Sequence, residues 1–271
     1  MGAALTIGAT TRPHAKLSFG EAVERIGRAG YTDVAVFRNG GEMPVGPDST
    51  PAQLDAVKAA TADAGVTPSM VLASAQLKLG VDGAVADYCK LIDNAAAVGA
   101  RWLLDLGSGE LERYDEYIAV MQGAAAHAAE AGLGISMKPH GGITLTVENL
   151  QETCARVDHP AFGICFDPGN IIYYTKGERR PEADVGAVAD KVTTVIIKDC
   201  VVEDDKPDVM VTAGDGLVDF PSVLGQLLEA GFDGPMYVEC VGSSEPDAVD
   251  ADLAFTRGYT AGILASLRAR A

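Results

Sequence analysis

Four residues with ionisable side chains close short apolar runs in the second half of the sequence: Lys138, His140, Asp167 and Glu239. Two carboxylates, an ammonium and an imidazole in one space can hold a divalent cation, or they can transfer protons between groups that shift one another's pKa. Both kinds of site suit carbonyl sugars, in which a base removes the proton beside a carbonyl and the enediolate oxygen is stabilised. A structural ion-pair network is the alternative. We take the four residues as the candidate catalytic residues.

The elements that must position these residues are eight short apolar runs, each followed by an alanine-rich amphipathic stretch. The pattern predicts strands at residues 5–9, 33–37, 68–73, 102–106, 134–138, 163–167, 194–198 and 236–239. It predicts helices at residues 19–29, 51–64, 84–98, 114–131, 147–156, 221–230 and 251–268. Strands that alternate with helices in this way indicate a parallel sheet.

The count of eight strands favours a closed (β/α)8 TIM barrel, and nothing resembling a linker divides residues 1–271. An open doubly wound sheet would show the same alternation, but no GxGxxG motif follows the first strand. The sequence therefore predicts one barrel domain over residues 1–271.

Active sites of parallel barrels lie at the carboxyl ends of the strands. Alternation along the fifth strand would direct Lys138 and His140 to the same side, into the mouth where Asp167 and Glu239 converge. Further polar residues at strand ends are the candidate substrate-binding residues: His14, Arg38, Glu110, Asn170 and Lys198.

Several segments of the second half carry a family resemblance. They are residues 162–170 (FGICFDPGN), 197–199 (IKD), 214–220 (GDGLVDF) and 234–239 (GPMYVE). In combination they resemble the xylose-isomerase-like superfamily of sugar isomerases and epimerases, whereas the first half matches only in its βα rhythm. The resemblance implies a Mn2+ or Mg2+ ion held by a Glu after the fifth strand, an Asp after the sixth, a His on the seventh and a Glu on the eighth.

The chain matches only half of that ligand set. Asp167 and Glu239 stand at two of the four positions, but Lys138 occupies the position of the fifth-strand Glu and Ile196 that of the His. Either the Lys138 ammonium takes the place of the metal between the two carboxylates, or a shifted metal site survives on Asp167, Glu239 and His140. An imine formed by Lys138 or Lys198 is a further alternative.

Charge and composition narrow the class of partner. A net charge of −17 repels nucleic acid, no apolar run is long enough for a membrane helix, and the first residues do not resemble a signal peptide. The five cysteines are widely spaced without a CxxC pair. We therefore expect a cytoplasmic enzyme with a small carbohydrate substrate, and a homo-oligomer is compatible with the sequence.

Three functions remain open from the sequence. The first is isomerisation or epimerisation of a keto-sugar or related polyol by proton abstraction beside the carbonyl. A lyase that opens a 3-keto-glycoside by β-elimination would share that first step. A sugar-binding barrel without catalysis is the third, and the missing metal ligands are its best support.

Overall fold

Eight parallel strands close into a barrel in the computed structural model, which describes residues 5–269. The strands of the chain are Ile7–Thr10 (β1), Asp33–Val36 (β2), Thr67–Ala73 (β3), Trp102–Asp105 (β4), Gly134–Met137 (β5), Phe162–Phe166 (β6), Val192–Ile197 (β7), Val201–Glu203 (β8), Lys206–Asp208 (β9) and Met236–Val238 (β10). The barrel order is β1-β10-β7-β6-β5-β4-β3-β2, and β8 and β9 form a separate antiparallel hairpin. The predicted (β/α)8 barrel is confirmed.

Helices surround the barrel and connect its strands. They are Phe19–Arg28 (α1), Pro51–Asp63 (α2), Gly80–Ala97 (α3), Tyr114–Glu130 (α4), Val147–Val157 (α5), Pro168–Tyr174 (α6), Pro181–Asp184 (α7), Phe220–Glu229 (α8) and Pro246–Arg268 (α9). Capping boxes at Ser18, Thr50 and Thr146 fix the starts of α1, α2 and α5. All seven predicted helices are present, whereas α6, α7 and the hairpin were not predicted because they are too short to show a period.

The barrel interior is apolar below its carboxyl end. Its buried apolar side chains are those of Ala35, Phe37, Met70, Leu104, Cys165, Ile196 and Tyr237. The buried hydroxyl groups of Ser136 on β5 and Thr194 on β7 hydrogen-bond to each other at 2.7 Å. A second, larger core fills the space between strands and helices. Polar groups placed on top of the barrel interior therefore rest on an apolar floor, where electrostatic interactions are stronger than in water.

Two sequence expectations concern the whole chain. The five cysteines are free thiols, as their spacing indicated. Within residues 5–269 no helix combines the length and apolar character needed to cross a membrane. The predicted domain ends, at residues 1 and 271, lie outside the described residues.

Candidate active site

The Asp-Pro-Gly-Asn segment after β6 sets the position of one carboxylate. Asp167 caps α6, and its Oδ1 accepts a hydrogen bond from the backbone N–H of Asn170 at 3.0 Å. This bond leaves Oδ2 free to face the barrel axis. Gly169 permits close approach, because a Cβ atom there would lie 2.7 Å from the carbonyl oxygen of Lys198.

Four charged side chains meet above the apolar floor, and we call Lys138, Asp167, Lys198 and Glu239 the charge ring. Lys138 Nζ lies 2.5 Å from Glu239 Oε2 and 3.1 Å from Asp167 Oδ2. Lys198 Nζ lies 2.8 Å from Glu239 Oε1 and 3.1 Å from Asp167 Oδ2. The residues are only 1%, 0%, 3% and 4% exposed, in chain order. Each carboxylate therefore contacts both ammonium groups, and the four charges neutralise one another.

Burial and charge act in opposite directions on the ring. Burial disfavours ionised Glu239, but Lys138 and Lys198 outweigh it and hold the pKa of this carboxyl well below its usual range. Burial likewise opposes the charge on Lys198, whereas Asp167 and Glu239 raise its pKa well above the ordinary value. An imine requires a neutral amine, so the interactions of Lys198 oppose that alternative.

Two further residues hold the ring in place. Asn170 accepts a hydrogen bond from Lys198 Nζ at 3.1 Å through Oδ1 and donates one to the Pro139 carbonyl at 2.7 Å through Nδ2. Asp199 faces away from the ring and accepts backbone hydrogen bonds of 2.9 to 3.0 Å from Cys200, Gly214, Gly216 and Val218. Hydrogen bonds from the Gly-Asp-Gly segment, residues 214–216, thus fix Asp199 and the loop after β7.

His140 lies at the rim of the barrel. Strand β5 ends at Met137 and the chain turns at Gly141, so the alternation carries Lys138 into the ring but stops before His140. His140 is partly exposed, and its imidazole packs against Tyr174, with ring centroids 5.3 Å apart. The pKa of His140 is lowered to about 4, mainly by partial burial and to a smaller extent by repulsion from Lys138 and Lys198. The imidazole is therefore neutral at pH 7.

The other predicted substrate-binding residues outside the ring have contacts of their own. His14 is buried, and its Nε2 lies 3.0 Å from Asp250 Oδ1 on α9, without the geometry of a hydrogen bond. Arg38 is exposed and donates to the Gly41 carbonyl at 2.7 Å. Glu110 is exposed and lies 3.6 Å from Arg113. The structure brings Asn170 and Lys198 together with the predicted catalytic residues, but it does not bring these three into the ring.

Sequence reasoning missed two residues at the barrel mouth. Arg12 follows β1, and its Nε lies 4.0 Å from Glu239 Oε1. Tyr174 lies on α6, half-buried beside His140. Arg12 stands within the polar run that ends the first strand, so its position was a usable signal. Nothing in the sequence pattern singled out Tyr174, because α6 was not predicted.

The donor atoms at the mouth do not fit a divalent metal. The two carboxylates that match the family's ligand positions each already contact two ammonium groups. Ile196, at the position of the expected His, is packed in the apolar interior of the barrel. In residues 5–269 no three His, Cys, Asp or Glu side chains are grouped so that they could hold a metal ion. The arrangement favours the interpretation in which ammonium groups stand where the family has a metal.

Comparison with protein families identifies the fold family. The family described as xylose isomerase-like TIM barrel matches residues 23–259. The chain belongs to this family. The match confirms the resemblance read from the second half of the sequence and extends it over most of the first half. No curated protein matches the chain.

Solved structures with this fold include enzymes of more than one class. A xylose isomerase-like TIM barrel protein from Mycobacterium smegmatis in complex with magnesium has a TM-score of 0.79 at 17% identity, over 97% of both chains. D-psicose 3-epimerase with D-tagatose from Clostridium cellulolyticum H10 has a TM-score of 0.78 at 12% identity, over 96% of this chain and 99% of that one. A probable 3-DHS dehydratase from Bacillus anthracis has a TM-score of 0.69 at 12% identity, over 92% of this chain and 97% of that one. At these identities the likeness shows the fold alone.

Proposed function

We propose that this protein is a keto-sugar isomerase in which the Lys138 ammonium does the work that the family assigns to a divalent metal. The observation that carries the proposal is the position of Lys138 Nζ, 2.5 Å from Glu239 and 3.1 Å from Asp167 at the carboxyl end of the barrel. A fixed cation on an apolar floor stabilises an oxyanion more strongly than the same cation in water. Lys138 and Lys198 would therefore stabilise the negative oxygen of an enediolate.

Glu239 is the proposed base. When a substrate carbonyl draws Lys138 toward itself, Glu239 loses one of its two cationic partners, and its pKa rises toward the range of a useful base. Glu239 then takes the proton from the carbon beside the carbonyl, and the electron pair moves to the carbonyl oxygen. Asp167 is less suited, because one of its oxygens caps α6 and the other contacts both lysines.

The number of free bases favours isomerisation over epimerisation. An epimerase must remove and return a proton on opposite faces of one carbon, which the family does with two glutamates. Lys138 stands in place of one of these, so Glu239 is left as the single glutamate. Isomerisation needs one base that serves two adjacent carbons on one face. Neutral His140 at the rim would move the proton between the two oxygens.

Two other functions have support from particular observations. A lyase that eliminates a group β to the carbonyl needs the same single base, and the dehydratase among the similar structures shows that this fold occurs in an enzyme named for that class of reaction. A sugar-binding barrel without catalysis is supported by the ring itself, whose four charges are buried and already paired.

Hydrogen exchange at the reacting carbon tests the proposal directly. Ketoses and aldoses are incubated with the protein in deuterated water, and 1H NMR records loss of the C–H signal beside the carbonyl. We expect exchange by the wild-type protein and a loss of about 100- to 10,000-fold in Glu239→Gln. Lys138→Met should lose about 100- to 1,000-fold, and Lys138→Arg, which keeps the positive charge, should lose less.

Each outcome separates the three functions. Exchange with formation of an isomeric sugar supports the isomerase, and exchange with release of a leaving group supports the lyase. Ligand-induced thermal stabilisation without exchange supports the binding barrel. Undiminished exchange in Glu239→Gln would refute the assignment of the base. Exchange that persists unchanged after exhaustive chelation agrees with the ammonium in the role of the metal.

A further inference from the structure

We propose that Arg12 binds a carboxylate of the substrate, so that the protein acts on a keto-sugar acid in preference to a neutral keto-sugar. The inference rests on the proposed function for the reacting carbonyl and concerns the group bound next to it.

Arg12 is the accessible positive charge beside the charge ring. It lies in the single 3-10 turn Arg12–His14 that follows β1, at the carboxyl end of the barrel. Its Nε is 4.0 Å from Glu239 Oε1, and its side chain is 39% exposed, compared with 5% for that of Glu239. A ligand that enters the mouth can therefore reach Arg12 while its carbonyl faces the ring.

The hydrogen-bonding capacity of this guanidinium is largely unused. An arginine side chain carries five N–H donors in a planar fork. The recorded hydrogen bonds of the Arg12 side chain run from Nη1 to two sulfur atoms, Cys240 Sγ and, at 3.9 Å, Met210 Sδ. Sulfur is a weak acceptor. Among the part of the chain that the structure describes, no carboxylate accepts a hydrogen bond from Arg12.

Several other arginines of this acidic chain contact carboxylates, although Arg38 donates to a backbone carbonyl instead. Arg156 Nη2 lies 2.6 Å from Asp115, and Arg179 Nη2 lies 2.7 Å from Glu148. Carboxylates are abundant, with 38 Asp and Glu against 21 Lys and Arg. The nearest one to Arg12 is Glu239, which already contacts two lysines. Among the described residues, most N–H groups of the Arg12 guanidinium therefore have no acceptor, although the side chain lies beside the charge ring.

The charge of the mouth specifies the kind of anion. The two ammonium groups and two carboxylates of the ring cancel, so the ring and Arg12 together carry one net positive charge. A carboxylate neutralises this charge and matches the guanidinium fork with two parallel hydrogen bonds. A phosphate dianion would leave a net negative charge. The ring and Arg12 together therefore fit a monoanion. This positive site stands out on a chain whose total charge is −17.

Titration calorimetry at pH 7 with three related ligands tests the inference. The ligands are D-fructose, 2-keto-D-gluconate as its carboxylate counterpart, and D-fructose 6-phosphate. The proteins are wild type, Arg12→Met, Arg12→Lys and, as a control, Arg28→Met, which removes an exposed arginine from α1. We expect wild type and Arg28→Met to bind the carboxylate about 10- to 100-fold more tightly than D-fructose. Arg12→Met should lose this preference, and Arg12→Lys should keep part of it.

Several results would overturn the inference. They are equal binding of acid and neutral sugar, a preference that survives Arg12→Met, failure of wild type to bind the acid, or an Arg12-dependent preference for the phosphate. Deuterium exchange on the same samples keeps the two proposals apart. An Arg12-dependent acid preference without exchange refutes the isomerase and leaves the anion site. Exchange of neutral sugars without an acid preference refutes the anion site alone.

Discussion

Replacing Lys138 by methionine should destabilise the protein strongly, because it removes one cation from a closed set of buried charges. Lys138 Nζ contacts Glu239 at 2.5 Å and Asp167 at 3.1 Å, and all three residues are less than 5% exposed. Loss of one partner of a buried ion pair costs about 3–5 kcal/mol, and here Lys198 remains but one negative charge of the ring stays buried without compensation. At about 2–4 °C per kcal/mol, the Tm should fall by about 6–20 °C.

A double-mutant cycle turns this expectation into a sharp test. Urea denaturation, followed by fluorescence of the single tryptophan, Trp102, gives the free energy of unfolding of wild type, Lys138→Met, Glu239→Gln and the double variant. The double variant removes one charge of each sign and leaves the contact of Lys198 with Asp167. Its loss should therefore be smaller than the sum of the single losses by about 0.5–3 kcal/mol.

The exposed arginine Arg28, 3.7 Å from Glu24 on α1, provides the matched control. Arg28→Met should cost less than about 1 kcal/mol, because surface ion pairs contribute little. Additive losses in the cycle, or a loss in Lys138→Met as small as that of the control, would show that the ring is not a coupled set of buried charges.

Three further perturbations probe the packing, the rim and the ionisation of the ring. Gly169→Ala places a methyl 2.7 Å from the Lys198 carbonyl and should cost about 1–3 kcal/mol in urea denaturation. Gly262→Ala on α9, with open space around it, should be neutral or stabilising by up to about 1 kcal/mol. NMR titration of His140 should give a midpoint near pH 4, and a midpoint near 6.5 would contradict its partial burial and its repulsion by Lys138 and Lys198. The pKa of Glu239 in the folded state is lowered from its ordinary value of 4.5. The ionised carboxylate therefore stabilises the folded protein above that pH, and this stabilisation is lost as the pH falls. The stability of Glu239→Gln should accordingly depend less on pH below 5 than that of the wild type.

The barrel could be predicted from the sequence because most helix-to-strand connections carry a local signal for the end of the helix. Residues such as Gly30 and Gly65 follow the ends of α1 and α2 with positive φ, and an apolar strand begins within three residues of each. The same signal recurs at Gly99, Gly132 and Gly231, so it marks five of the helix-to-strand connections. The connection between β6 and β7 has no such period, because α6 and α7 have seven and four residues.

Strand alternation accounts for the positions of only some of the predicted site residues. Lys138, Asp167, Lys198 and Glu239 come directly after strands, so the period of two directs their side chains toward one another at the carboxyl end of the barrel. His140 comes three residues after the end of β5, where the chain has begun to turn. The partners that complete the mouth depend on tertiary contacts between loops, which no local pattern encodes. Lys198 itself was read as a substrate-binding residue, although it forms half of the cationic part of the ring.

An equal net charge at the site gives the exchange of a divalent metal for lysine a physical basis. In the ligand set that the family resemblance implies, Lys138 would be a glutamate, and a change from glutamate to lysine adds two positive charges, the charge of the divalent ion. Lys138→Glu should therefore leave a buried excess of two negative charges and lower the stability. Millimolar Mn2+ or Mg2+ should then raise the Tm of this variant by binding the folded state, whereas wild type and Lys138→Gln should not respond. An equal response of all three proteins would show that the lysine does not occupy the electrostatic position of the metal.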